Sequence, residues 1–366
     1  MIMISPYQLF SLMVLYQFGT TVIFGFASGA GRDAWIAASV SFLLGALIIA
    51  GYAAIAKLNG SLSLVGWFRR RLGNWLGTTV AWLYPVAFIY DAGRGISDLK
   101  FLLPLTLLPE TPPWFFTATF MMVVVYVMYG GIEVLCRVAG VLLPVLICFI
   151  LLETVLLGAS GSLRADYLQP VLGEGVGRVA ENVWPIGITQ TYGQSIEMAA
   201  FWFMLNKRGH LGKISVGATL FAGLFIALFD LLAITALGEH VFKEMIFPAF
   251  TILKLSSIAD FLENLDALGA LYFMCTVFIK MSVHLFAAFL CIRELTGAAT
   301  QNHAAIWIIA GSAYAIGMTM ADNFSEHLHV GIEILPNVVW VPLYLIVPAV
   351  ILLLSLIGKP NKKGLA

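Results

Sequence analysis

The segment LDALGALYFMCTVFIKMSVHLFAAFLCI (265–292) is a continuous apolar run with a lysine, Lys280, at its middle, and it is one of about ten such runs along the chain. About 20 residues rising 1.5 Å each cross a hydrocarbon core of about 30 Å. The runs, at 6–28, 34–57, 79–103, 114–130, 132–157, 183–205, 211–237, 266–292, 304–321 and 338–357, reach 17–27 residues. Their apolarity is unbroken rather than alternating, which excludes a membrane barrel. The expected fold is therefore an all-α integral membrane protein of ten spans, forming a single transmembrane domain over residues 1–366. A charged fraction of 11%, against roughly 25% in soluble domains, agrees. With a net charge of zero and no basic tract beyond Arg69-Arg70-Arg71, nothing points to nucleic acid. Cys136, Cys148, Cys275 and Cys291 all lie inside apolar runs and read as small hydrophobes, not as a disulfide or metal set. The first run lacks a basic leader and a small-residue cleavage site, so it is expected to be retained.

Basic residues set the orientation. With a cytoplasmic N-terminus, the cytoplasmic segments hold Lys57, Arg69, Arg70, Arg71, Arg137, Lys207, Arg208, Lys213, Arg293, Lys359, Lys362 and Lys363. The other side holds only Arg32, Lys100, Arg164, Arg178, Lys243 and Lys254, so both termini are expected inside. Acids such as Asp166, Glu239, Asp260 and Glu263 crowd the opposite side. Two connections are more than turns. Segment 58–78 interleaves Leu, Val, Trp and Phe with arginines and reads as an amphipathic helix on the cytoplasmic surface. Segment 238–265 is either a pair of short helices plugging an outward-facing cavity or a loop resting on lipid.

Ten spans divide as five plus five, about 6–157 and 183–357, and each half opens with an interrupted helix. The first span carries Gly19-Thr20-Thr21 at its middle, and the sixth carries Gly193-Gln194-Ser195, 174 positions later. Paired glycine-interrupted spans at matching places mark an inverted-repeat transporter with its site at the midplane. Unwound backbone is tolerable in hydrocarbon only where something satisfies its N–H and C=O groups.

A lysine at the bilayer centre costs roughly 2.5–3.5 kcal/mol on insertion scales, so it needs either a partner or a task. Lys280 is expected either to pair with Asp91, Asp230 or Glu197, or to act as a proton-responsive cation beside the first break. His284 lies one turn further along the same face, so one of the two is expected to be neutral, and a neutral lysine can give and take a proton. Asp91 and Arg94, at i and i+3, are placed to neutralise each other. No histidine cluster has metal spacing, and there is no phosphate loop or nucleophile elbow, so an enzyme is not expected. Glu326-His327-Leu328-His329 reads as a solvated polar loop after the ninth span.

An opening ISPYQ (4–8), the interrupted FGTTVIFG (18–25) and RDAWIA (32–37) begin the chain; YGQSIEMAAFWFMLNK (192–207) and LENLDALG (262–269) follow. In that order, and over nearly the whole chain, these segments resemble the spore germination permeases, the B subunits of GerA-type nutrient germinant receptors in the amino acid–polyamine–organocation superfamily. Gln194 is a departure, because many members carry glutamate there. The resemblance implies a LeuT-like core in which the first and sixth spans line a small-molecule pocket, completed by the third and eighth. Gly19, Thr20 and Thr21 would then meet a germinant such as an amino acid from one break, and Gly193, Gln194 and Ser195 from the other. Tyr90 would close the pocket. Lys280, with Asp91 and Asp230 as acidic partners, would stand in for a coupling ion, as a lysine does in related proton-dependent permeases. No cofactor is implied. The implied partners are a membrane A subunit and a lipoprotein C subunit in the spore inner membrane. An autonomous proton-coupled amino acid transporter of the same fold is the alternative.

Overall fold

Ser5 starts the first helix with a capping box. Its hydroxyl accepts from the Gln8 N–H at 3.2 Å while its own N–H donates to Gln8 Oε1 at 2.9 Å. From there α1 (Pro6–Phe18) is buried on every side from Leu12 to Phe18, as befits a helix at the centre of a bundle. The computed structural model describes residues 3–60, 62–255, 265–298 and 303–358. Lys359, Lys362, Lys363, Asp260 and Glu263, and residues 262–264 of the LENLDALG segment, lie outside the described residues.

The first span stops at Gly19, resumes as the single turn α2 (Thr21–Phe24) and ends in 3₁₀ turns at Ser28–Asp33. Then come α3 (Ala34–Leu58), α4 (Leu64–Leu72), α5 (Asn74–Thr106), α6 (Pro113–Gly130), α7 (Ile132–Ala159) and α8 (Val176–Asn182). The sixth run is barely α-helical. It passes through a π turn at Val183–Gly187, then 3₁₀ turns at Gly193–Ala200 and Trp202–Met204. Beyond it lie α9 (Leu211–Glu244), α10 (Pro248–Leu255), α11 (Leu265–Thr296), α12 (His303–Thr319), α13 (Phe324–His329) and α14 (Val347–Ile357). Among the described residues six helices are long and apolar enough to cross a membrane, or seven if the pair bent by 118° at residues 320–323 counts as one span. The first and sixth runs fall short because they are broken, while α5 carries Asp91, Arg94, Asp98 and Lys100.

α11 packs along α5, α3 along α9, and α1 lies between α9, α7 and α11. The two broken segments are stitched at one end of the bundle: the Ile4 N–H donates to Met204 O at 2.9 Å and the Asn206 N–H to Ile4 O at 3.0 Å. At the other end Arg32 and Arg178 share Glu239 at 2.5 and 2.7 Å, and Arg178 also reaches Glu174 at 2.8 Å. The amphipathic segment is α4, capped by Ser63 and packed on α5, with Phe68 against Tyr84 and Trp67 against Trp202. Arg71 points to Gly358 O at 3.0 Å, a cation at the C-terminus of α14.

One expectation fails here. Glu326–His329 is not a solvated loop, because α13 continues through π turns (Val330–Ile334 and Pro336–Ile346) into α14. His327 is 1% exposed and bonded to Asp98 at 2.7 Å. The polar sequence hid a buried partner 229 positions away.

Candidate functional site

Gly19 ends α1 with φ 39° and ψ −126°, a conformation only glycine adopts without strain. The carbonyls released at the two breaks are taken up by hydroxyls, from neighbouring helices and from the broken segment itself. Thr276 donates to Gly19 O at 2.7 Å, Tyr16 to Gln194 O at 3.1 Å and Ser195 to Thr191 O at 3.0 Å. Tyr52 donates to Gly193 O at 3.2 Å and also contacts the Tyr344 carbonyl. Side chains join the breaks directly: Thr21 and Thr191 hydroxyls lie 3.0 Å apart, and Gln17 donates to Ser195 Oγ at 3.1 Å. The carbonyls of Gly19, Thr191, Gly193 and Gln194 are thus satisfied by protein hydroxyls.

What the breaks create is space. A cavity of about 400 Å³ runs from a buried floor at Thr20, Thr21, Gln194 and His284 to an exposed rim at Gly29, Lys243, Glu244 and Met245. That volume falls in the range of small-ligand pockets. Asp91, Arg94 and Gly95 of α5, Lys280 of α11 and Trp340 of the last helix complete its wall. Phe24, Phe247 and Phe324 stack near the mouth with ring centroids 5.5–6.0 Å apart, which places the start of α10 beside the opening.

Thr20, Thr21, Gln194, Asp91 and Lys280 therefore share one cavity. Gly19 sits directly behind Lys280: a Cβ there would lie 2.6 Å from Lys280 Cδ. Gly193, Ser195 and Tyr90 are not on the wall. Asp230 is also elsewhere, accepting from the Phe26 N–H at 3.2 Å and so capping the outer end of the first span.

The ionic partners differ from expectation. Asp91 does not pair with Arg94; it accepts from Tyr344 Oη at 2.7 Å and Trp340 Nε1 at 3.2 Å. Glu197, fully buried, faces His284 Nδ1 with each oxygen at 2.7 Å. Lys280 makes no ion pair within 4.0 Å among the described residues, and its Nζ lies 5.7 Å from the Tyr16 ring centroid. The helix-spacing rule saw Asp91 and Arg94 on one face but had no signal for Trp340 and Tyr344, some 250 residues away. Asp91, Glu197 and His284 bring ligand-type atoms within 4.8 Å of one another. Their engagement with Tyr344, Trp340 and each other, with Lys280 on the same cavity wall, opposes a divalent ion there.

Residues 3–325 match the profile of a family described as Spore germination protein. Spore germination protein KB of Bacillus subtilis (strain 168) is 27% identical over 360 residues, spanning 98% of this chain and 96% of that one. Spore germination protein XB of Bacillus anthracis is 25% identical over 264 residues, 70% and 71% of the two chains. Among solved structures, Mhp1, a nucleobase-cation-symport-1 family transporter in a closed conformation with bromovinylhydantoin bound, superimposes with a TM-score of 0.65 over 89% of this chain and 74% of its own, at 9% identity. At that identity the likeness concerns the fold alone, which is LeuT-like. With the profile matched over most of its length, the chain belongs to the spore germination protein family, a permease-type group of multi-pass membrane proteins.

Proposed function

We propose that this chain is the germinant-sensing, permease-like subunit of a spore germination receptor, binding a small molecule such as an amino acid at the midplane of the spore inner membrane. The observation that carries this reading is the cavity between the two interrupted segments, in a chain of this family with a transporter fold. Thr20, Thr21 and Gln194 touch the ligand from the breaks, while Gly19, Gly193 and Ser195 shape the breaks behind them. The chain is one domain of two inverted repeats, about 6–157 and 183–357, with both termini cytoplasmic. The cavity then opens outward in this conformation, and the Tyr16, Tyr52 and Tyr344 contacts close the inner side. Ligand binding shifts the balance between such states, and a membrane A subunit with a lipoprotein C subunit reads the shift.

Deletion of the gene is expected to abolish the response of spores to one nutrient class and leave other responses intact. The purified chain in proteoliposomes is expected to bind that nutrient without saturable uptake. Saturable, proton-driven uptake by this chain alone would replace the sensor reading with an autonomous transporter.

A further inference from the structure

The last helix withdraws the acids of α5 from the cations beside them. Asp91 accepts from Tyr344 and Trp340, and Asp98 takes His327 Nε2 at 2.7 Å. Arg94, between these two aspartates on the same helix, makes no ion pair within 4.0 Å among the described residues. Among the described residues its one hydrogen bond is a long one, to His327 O at 3.4 Å. Its guanidinium lies against Gly331, where any Cβ would strike it. Across the cavity wall Lys280, 8% exposed, is likewise without a carboxylate within 4.0 Å. Gly95, beside Arg94, lets α11 come close to α5: a Cβ there would lie 2.7 Å from Met281 Cγ.

Gln194 is the third unspent group, its Oε1 buried without a hydrogen-bond partner. On this wall Lys280 and Arg94 are thus cationic donors without a carboxylate partner among the described residues, whereas Asp91 and Asp98 are already engaged. A buried cation without a partner is costly, and an arriving anion removes that cost.

From this geometry we infer that Lys280 and Arg94 form an anion seat on the α5/α11 wall that takes the carboxylate of the ligand. The inference rests on the reading above that the cavity receives a small molecule. At the breaks the carbonyls of Gly19, Gln194 and Gly193 are acceptors already occupied by hydroxyls and offer a carboxylate nothing. Arg94 offers a planar fork and Lys280 a point charge, so the pair holds a carboxylate and fixes its orientation. A ligand carrying an ammonium as well adds no net charge to the membrane interior.

Thermal-shift and calorimetric titration of the purified full-length chain test this with three probe sets: the common L-amino acids, their C-terminal amides, and neutral sugars. At least one free amino acid is expected to bind and stabilise the wild type. Its amide, with the ammonium kept and the carboxylate gone, is expected to bind at least about tenfold more weakly. Lys280→Met and Arg94→Gln are each expected to lose a similar factor for the acid. Gly331→Ala keeps every charge but displaces the Arg94 guanidinium, so it is expected to weaken the acid too. Equal binding of acid and amide, or binding by sugars alone, would overturn the anion seat and leave the small-molecule reading standing. Full affinity in both Lys280→Met and Arg94→Gln would overturn it as well. No shift with any of the three sets would overturn the seat and the underlying reading together.

Discussion

Replacing Gly19 by alanine isolates the geometry on which the cavity depends. At φ 39° and ψ −126° the backbone lies where an L side chain is strained, a cost of about 1–3 kcal/mol. The new methyl carbon would also stand 2.6 Å from Lys280 Cδ and 3.0 Å from Tyr16 O. Tyr16 O is backbone and cannot yield, so the lysine stem must move. Gly193→Ala is the control at the second break, where a Cβ would find its nearest neighbours at 3.4, 3.5 and 3.6 Å, ordinary contact distances. Such a substitution is expected to stay within about 0.5 kcal/mol. Thermal unfolding of the detergent-purified variants, with ligand titration in parallel, reads both effects. Gly19→Ala is expected to melt several degrees lower and to bind ligand poorly because Lys280 is displaced. Gly193→Ala is expected to track the wild type. Equal melting and equal affinity for Gly19→Ala and wild type would refute the claim that this backbone kink positions the lysine.

Tyr52→Phe removes the hydroxyl serving the Gly193 and Tyr344 carbonyls and is expected to cost about 1–3 kcal/mol, seen as a lowered melting temperature. His284→Ala leaves the buried Glu197 carboxyl without its hydrogen-bond partner, at about 1–3 kcal/mol. The double change Glu197→Gln with His284→Ala is therefore expected to melt above His284→Ala alone. Asp230→Asn keeps an acceptor for the Phe26 N–H and lies off the cavity, so ligand affinity is expected to stay within about twofold; a tenfold loss would return Asp230 to the site. Glu239→Gln sets Arg32 and Arg178 facing each other at the rim and is expected to lower stability in a salt-dependent way while leaving ligand affinity unchanged.

Much of the bundle was legible because the bilayer imposes a single length and a single polarity on whatever crosses it. α3, α6 and α7 begin and end within a few residues of their apolar runs, and the glycines at 19 and 193 mark the two interruptions. Local rules worked where local chemistry decides, as in the amphipathic segment 58–78, which holds α4. They failed where partners are distant in the chain. Helix spacing could pair Asp91 with Arg94, yet the tertiary fold gave Asp91 to Trp340 and Tyr344. Likewise the polar EHLH motif looked solvated, because nothing nearby showed that Asp98 would draw His327 inward. At the breaks, α3 and α11 supply Tyr52 and Thr276 to the released carbonyls, partners that no local rule points to.

The most direct test is an experimental structure of the full chain with a bound ligand. The ligand is expected between Thr20, Gln194 and Lys280, with its carboxylate against Lys280 and Arg94 and with both helices interrupted at Gly19 and Gly193. First and sixth spans running as unbroken α-helices past Thr20 and Gln194, or a ligand bound outside this cavity, would contradict it.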